Sequence, residues 1–333
     1  MRLKKAAVSL AAAAMLFTAL TDFSSAEVST VKDSKAIPVD FEQHKRVVIL
    51  EELRSAGIPF DDQTSLQGIK SNLELKSKSN IKAAQVLDKI QQLENADYVY
   101  LDSETGDVYS SKRGYLGKAK KYDEFEEPQA VEDKGLKKDQ VQILSKSNPT
   151  VQEIFGGNTG AFERRQLNFS GFDGIIANVT LPTVEYASNN VGLDEQAWVY
   201  YGFDPSSGSG VEGGYSYQRG RGIWLPYIRS GGFAYADEAY KKNPGDVVNN
   251  LKFYLKKASS SATTYTAYLI VGATEVKFAS TSLTSITTTS VKRVTSIAKA
   301  GFDGTNIVGK SLNQKWDSVQ VSLHNSDYPE FRK

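Results

Sequence analysis

Between residues 174 and 323, apolar and polar positions alternate in short runs: GIIANVTL, QAWVYYGF, GGYSYQ, GIWLPYI, NNLKFYLKK, TYTAYLIVG, EVKFAST, VKRVTSIA and SVQVSL. Glycine, asparagine or Asp-Gly turns separate them. A period of two marks a strand with one buried face. Many short strands at this spacing predict a mainly β fold, a concanavalin-like antiparallel β-sandwich (jelly roll) over residues 160–333. Within 249–257, Leu251, Phe253 and Leu255 point one way and Lys252, Tyr254 and Lys256 the other. One face should be core and the other wet or aromatic. From 259 to 296, 18 of 38 positions are Ser or Thr, which suits exposed strand faces.

The period changes nearer the N-terminus. Residues 42–58 place Val47, Leu50 and Leu53 on one helical stripe, with Gly57 and Pro59 as the stop. A second helix is predicted over 80–94, with Asn80 as cap and Val86, Ile90 and Leu93 as its apolar stripe. Residues 96–116 read as a β-hairpin around Glu104-Thr105-Gly106. Together these predict a small α+β module over 27–117 preceding the sandwich. Residues 118–159 read as a charged linker with short helices, one at 139–146 and one opened by Asn148-Pro149 toward Phe155. Its first 23 positions carry 13 charges, the pattern of a solvated segment.

The first 26 residues have the form of a signal peptide: a basic MRLKK, an apolar AAVSLAAAAMLFTAL and small residues before a cut ahead of Glu27. The apolar run is shorter than the ~20 residues a membrane span needs, so no transmembrane anchor is expected after cleavage. The localisation this predicts is secreted. The chain has no cysteine, so an exported fold must be held by its core, without disulfides, thiolate metal sites or cysteine catalysis. Export without disulfides suits a Gram-positive bacterium. A formal charge of +1 gives no bulk field toward nucleic acid. With only His44 and His324, a three-histidine zinc site is impossible and no HExxH is present. No metal and no cofactor is expected.

The richest candidate surface is GSGVEGGYSYQRGRGIWLPYI, residues 208–228. As a strand, it puts Glu212, Gly214, Ser216 and Gln218 on one face and Val211, Gly213, Tyr215 and Tyr217 on the other. Trp224 then falls out of phase with Leu225 and Tyr227. Aromatic rings cover apolar sugar faces while carboxylates and amides take the hydroxyls, so one reading is the lip of a binding cleft. The other is that Trp224 and the tyrosines fill the inter-sheet core.

The order WVYYGFD, SGVEGGYSYQ, IWLPYI, NPGDVVNNLKFYL, VKRVTSIA resembles the strand sequence of the glutamic peptidases, over about residues 195–325. The resemblance implies a β-sandwich with a cleft on its concave sheet. It does not carry the catalytic pair. The family's glutamine strand resembles VEGG, where this chain has Glu212; its glutamate strand resembles VKRVTSIA, where the nearest candidates are Arg293 and Thr295. An Arg293–Glu212 pair would hold the carboxylate as its anion. VEGGYSYQ–WLPYIR also resembles the secreted YrpD-like family of bacilli, which implies the same sandwich and no known activity.

The function expected is therefore noncatalytic binding of glycan or extended peptide at the cell envelope or extracellular matrix. The site would comprise Glu212, Tyr217, Gln218, Trp224, Tyr227, Tyr254 and Arg293. The alternative is a secreted carboxylate-based hydrolase, a glycosidase, lyase or glutamic-peptidase-like enzyme. In it Glu212 would work with one of Glu185, Asp194, Glu195, Asp237, Glu238 or Asp303. In a third reading, residues 27–150 are a propeptide covering the cleft.

Overall fold

The computed structural model describes residues 37–60, 64–78, 80–121, 151–157, 160–186, 194–205, 210–257, 262–272, 277–283, 289–299, 302–323 and 330–332. The expected leader (1–26), residues 122–150 of the expected linker and His324 lie outside these residues.

Helix α1 (Phe41–Ser55) begins at Asp40, whose carboxylate accepts the Gln43 amide. Helix α2 (Leu66–Ser77) begins at Ser65 and buries only Ile69 and Leu73, too sparse a stripe to announce itself in the sequence. Helix α3 (Ile81–Glu94) starts where expected, with the Asn80 side chain accepting from the amides of Lys82 and Ala83.

The strands of the first hairpin region are β1 (Tyr98–Leu101), β2 (Asp107–Ser110), β3 (Gly114–Lys118) and β4 (Lys120–Lys121). Next come β5 (Val151–Gly157), β6 (Gly160–Ser170), β7 (Phe172–Thr180), β8 (Thr183–Glu185), β9 (Glu195–Pro205), β10 (Val211–Gln218), β11 (Ile223–Ser230) and β12 (Phe233–Ala236). The last are β13 (Val247–Lys257), β14 (Tyr265–Ile270), β15 (Lys277–Leu283), β16 (Thr289–Lys299), β17 (Lys310–Leu312), β18 (Lys315–Leu323) and β19 (Glu330–Arg332). Each alternating run named from the sequence is one of these strands.

One sheet has the order β19, β18, β7, β13, β14, β15, β1, β2, β3, and the other β4, β12, β11, β10, β9, β16, β6, β5; β8 and β17 pair separately. The two large sheets pack face to face. Val199, Tyr201 and Phe203 of one meet Leu251, Phe253 and Leu269 of the other in a single buried core. The Phe203 and Phe253 rings lie 5.3 Å apart, and the Tyr201 hydroxyl donates to the Leu251 carbonyl at 3.2 Å. This is the expected antiparallel β-sandwich, with one exception: β1 runs parallel to β15, Tyr98 opposite Lys277.

That exception corrects the domain division. The hairpin expected in a separate module over 27–117 instead extends the nine-stranded sheet, because β1 supplies the backbone partners that the edge of β15 lacks. A second correction concerns the segment after Pro149. It is strand β5, not a helix, paired residue for residue with β6 from Val151↔Leu167 to Phe155↔Glu163.

The helices cover the other face of the nine-stranded sheet. Val48, Ile49, Leu53, Ile90 and Leu93 pack on Tyr98, Tyr254, Tyr268 and Ile270. The face of β13 expected to be wet or aromatic is therefore a second core layer, with Tyr254 stacked on Tyr268. Its lysines reach carboxylates of α1, Lys252 to Glu52 at 2.9 Å and Lys256 to Glu51 at 3.1 Å. Burial would raise the Glu52 pKa, yet the ammonium groups of Lys252 and Lys89 bring it down to about 2. His44 stacks on Tyr100, and its Nδ1 lies 3.0 Å from the Tyr268 hydroxyl; burial pushes its pKa down to about 4.

A buried ionic clasp fastens this region to the second sheet. Arg113 donates from Nε to Asp97 at 2.9 Å and from Nη1 to Asp237 at 3.1 Å. Ser110 and Tyr240 also donate to Asp97, at 2.6 and 3.1 Å.

Candidate functional site

Strand register gathers the site on the outer face of the eight-stranded sheet. Glu212 of β10 lies opposite Gly202 of β9, and Gly202 lies opposite Lys292 of β16. On its other side Glu212 lies opposite Arg229 of β11. Alternation carries Ser216, Trp198, Tyr200, Asp204, Tyr227 and Val294 to the same face.

Two glycines make the arrangement possible. A Cβ at Gly202 would come within 2.5 Å of Lys292 Cε, so glycine is what lets the lysine stem cross β9 toward Glu212. A Cβ at Gly214 would meet Tyr200 Cα at 2.6 Å, so glycine likewise lets the backbone of β9 approach.

Lys292 Nζ lies 3.3 Å from Glu212 Oε1 and 2.8 Å from Asp204 Oδ2. Arg229 Nη1 donates to Glu212 Oε2 at 2.9 Å. Both carboxylate oxygens of Glu212 are thus held by cations, on a residue only 5% exposed. Burial alone would raise its pKa; Arg229 and Lys292 outweigh that and hold it below the ordinary carboxylate value. Burial would lower the Lys292 pKa, but Asp204 and Glu212 keep it raised. The cluster thus sets two carboxylates and two cations within reach of one another.

Beside it, Trp198, Tyr200, Tyr227 and Val294 form a small buried aromatic patch flanked by Phe162, Ala236 and Ala298. The Trp198 and Tyr227 rings meet edge to face at 4.9 Å. Half-buried Phe162, Arg164 and Gln166 of β6 border the face, with the Arg164 guanidinium 5.0 Å over the Phe162 ring.

The seven residues expected to form one site divide among three layers. Glu212, Gln218 and Tyr227 lie on the outer face just described. Tyr217 and Trp224 belong to the inter-sheet core. They are directly paired across β10 and β11, their rings 5.1 Å apart, and Trp224 Nε1 donates to the Pro182 carbonyl at 3.0 Å. Tyr254 lies beneath the helices, stacked on Tyr268 at 5.3 Å.

Arg293 is a correction. It lies opposite Tyr201, on the inward side, with its guanidinium 5.3 Å over the Trp316 ring and Nη2 3.7 Å from Glu163. Thr295 shares that side and accepts from Trp316 Nε1 at 3.1 Å. The partner of Glu212 is Lys292, one position earlier, and one residue in a strand is the difference between faces.

The companion carboxylate is likewise none of those proposed. Asp204 joins Glu212 through Lys292. Asp237 is engaged by Arg113, and Glu195 accepts the amides of Val308 and Gly309 at 2.9 and 2.8 Å. Sequence reasoning missed Lys292, Arg229 and Asp204. The one signal it held was Gly202, a small residue inside the aromatic run of β9. Among the described residues, no group of three His, Asp or Glu side chains is placed to hold a metal ion.

No family model matches the chain, and no curated protein matches it. Among solved structures it bears a weak similarity to scytalido-glutamic peptidase bound to a transition-state analogue inhibitor, at 14% identity and a TM-score of 0.31. The match covers 54% of this chain and 84% of that one. The same peptidase with a peptide-based analogue gives a TM-score of 0.30 at 14% identity, over 54% and 84% of the two chains. SCP-B, a peptidase of the eqolisin family solved with a tripeptide, also gives 0.30 at 14% identity, over 54% and 83%. Likeness at that level carries no argument about activity.

Proposed function

We infer that this chain is a noncatalytic binding protein that holds an extended glycan or peptide on the outer face of its eight-stranded sheet. The observation that carries the reading is Glu212, buried and engaged on both oxygens by Arg229 and Lys292. A hydrolase working from this face needs a carboxyl that trades a proton with substrate near neutral pH. A carboxylate held as its anion instead fixes charge and orients its neighbours. Sugars and extended peptides use accessible rings, cations and amides, and half-buried Phe162, Arg164 and Gln166 offer one of each at the border of this face. Action outside the cell rests on the leader pattern of residues 1–26, and kinship with the YrpD-like family on VEGGYSYQ–WLPYIR.

The test is titration of the purified chain with cell-wall and plant polysaccharides and with extended peptides, read by tryptophan fluorescence. A saturable shift lost in Trp198→Phe and kept in Trp224→Phe supports the outer face. A shift that survives Trp198→Phe overturns the placement. Turnover of any of these polymers that Glu212→Gln abolishes without unfolding overturns the noncatalytic reading.

A further inference from the structure

The helical hairpin of α2 and α3 ends in an apolar pair that its own packing does not use. Helix α2 turns Ile69 and Leu73 inward, and α3 turns Ala83, Ile90 and Leu93 inward. Leu75 follows Leu73 by two residues, about 200° around the helix, and is 70% exposed. Ile81, the first residue of α3, is 80% exposed. Isolated aliphatic side chains on a surface are ordinary. These two are the most exposed large apolar residues among those described, and both stand within one turn of the same hairpin tip.

Their surroundings are basic. Residues 74–82 read ELKSKSNIK, three lysines against one glutamate. Lys76, Lys78 and Lys82 are all exposed. Two exposed aliphatic side chains among three exposed lysines, near one helix–helix turn, match an anionic bilayer surface. The aliphatics enter the acyl boundary while the lysines stay among the headgroups, their stems lying along the apolar layer. The net charge of +1 makes this a local attraction rather than a property of the whole molecule.

We propose that the α2–α3 tip is a peripheral membrane-docking element for anionic lipid, with Leu75 and Ile81 as the inserting residues and Lys76, Lys78 and Lys82 as the headgroup contacts. It is independent of the polymer-binding face, so either can fail without the other.

The test is co-sedimentation with vesicles of phosphatidylcholine alone and of phosphatidylcholine with phosphatidylglycerol, at low and high salt. Expected is binding to the anionic vesicles only, weakened by salt. Leu75→Ser with Ile81→Ser should weaken it more than tenfold, and Lys76, Lys78 and Lys82→Gln should abolish the preference for phosphatidylglycerol. All five positions are exposed, so circular dichroism should confirm that the variants stay folded. The chain has no cysteine, so Lys78→Cys carries a single environment-sensitive dye, which should shift to the blue on anionic vesicles. Binding that both sets of variants leave unchanged overturns the proposal. So does an absence of binding to either vesicle, which would direct the apolar tip toward a protein partner instead.

Discussion

Replacing Lys292 with methionine removes the cation shared by Glu212 and Asp204. Breaking a buried ion pair from one side typically costs about 3–5 kcal/mol, because the other charge is left buried. Two features reduce that here. Arg229 still holds the second oxygen of Glu212, and the Asp204 side chain, 35% exposed, can turn to water. The expected loss is about 2–3 kcal/mol. Glu212→Gln keeps the Lys292–Asp204 pair and leaves an amide oxygen for Arg229, but loses the charge-assisted contact to Lys292, for about 1.5–3 kcal/mol. The double variant no longer strands one charge of the pair, so its loss should fall short of the sum by about 1–2 kcal/mol. Urea unfolding followed by tryptophan fluorescence measures all three. The pH profile gives a second readout. The Glu212 pKa is lowered in the folded state, so its stabilisation is present above the unfolded value and lost as pH falls. That acid-side loss should be shallower in Lys292→Met. Additivity within ~0.5 kcal/mol, the behaviour of distant sites rather than touching residues, would refute the coupled-cluster reasoning.

Two further substitutions test how the layers are joined. Arg113→Leu strands two carboxylates, Asp97 and Asp237, whose side chains are each 1% exposed; a loss of about 3–5 kcal/mol is expected in urea. Arg113→Lys should recover less than half of it, since an ammonium lacks the planar fork. His44 titrates at about 4 when folded against 6.5 for the free side chain. The unfolded chain therefore binds a proton first, and His44 stabilises the fold fully above pH 6.5 and progressively less down to pH 4. That difference corresponds to at most about 3.4 kcal/mol. His44→Phe should flatten thermal stability between pH 6.5 and 4, and an unchanged slope would exclude His44 as its source.

Much of the sandwich was legible because period-two alternation is a local property. Leu251, Phe253 and Leu255 had to share a face whatever they met. What lay over the opposite face was not local. Tyr254 and Lys252 read as a wet or aromatic face, and nothing near them in sequence says that α1, two hundred residues earlier, supplies Glu51 and Glu52. The candidate site failed in a similar way. Alternation placed Glu212 opposite in phase to Tyr217, but which residue of VKRVTSIA reached it depended on the register through β9. A shift of one position exchanges Lys292 for Arg293. Trp224 was legible as either core or lip, and its partner across the core, the Pro182 carbonyl, could not be inferred from its neighbours.

The parallel pairing of β1 with β15 bears on how the chain reaches its final form. Tyr98 finds its backbone partner at Lys277, more than half the chain away. The apolar stripes of α1 and α3 close on Tyr254, Tyr268 and Ile270. Helices made first thus wait for strands made late. Contacts so distant in sequence are slow to form, since loop closure precedes any gain from them. A chain appearing N-terminus first, from a ribosome or through a translocation channel, would carry α1, α2 and α3 without the sheet layer they cover until residue 270 had emerged. Folding then becomes a late event of the whole molecule, and the interval before it is when a holding chaperone would matter most.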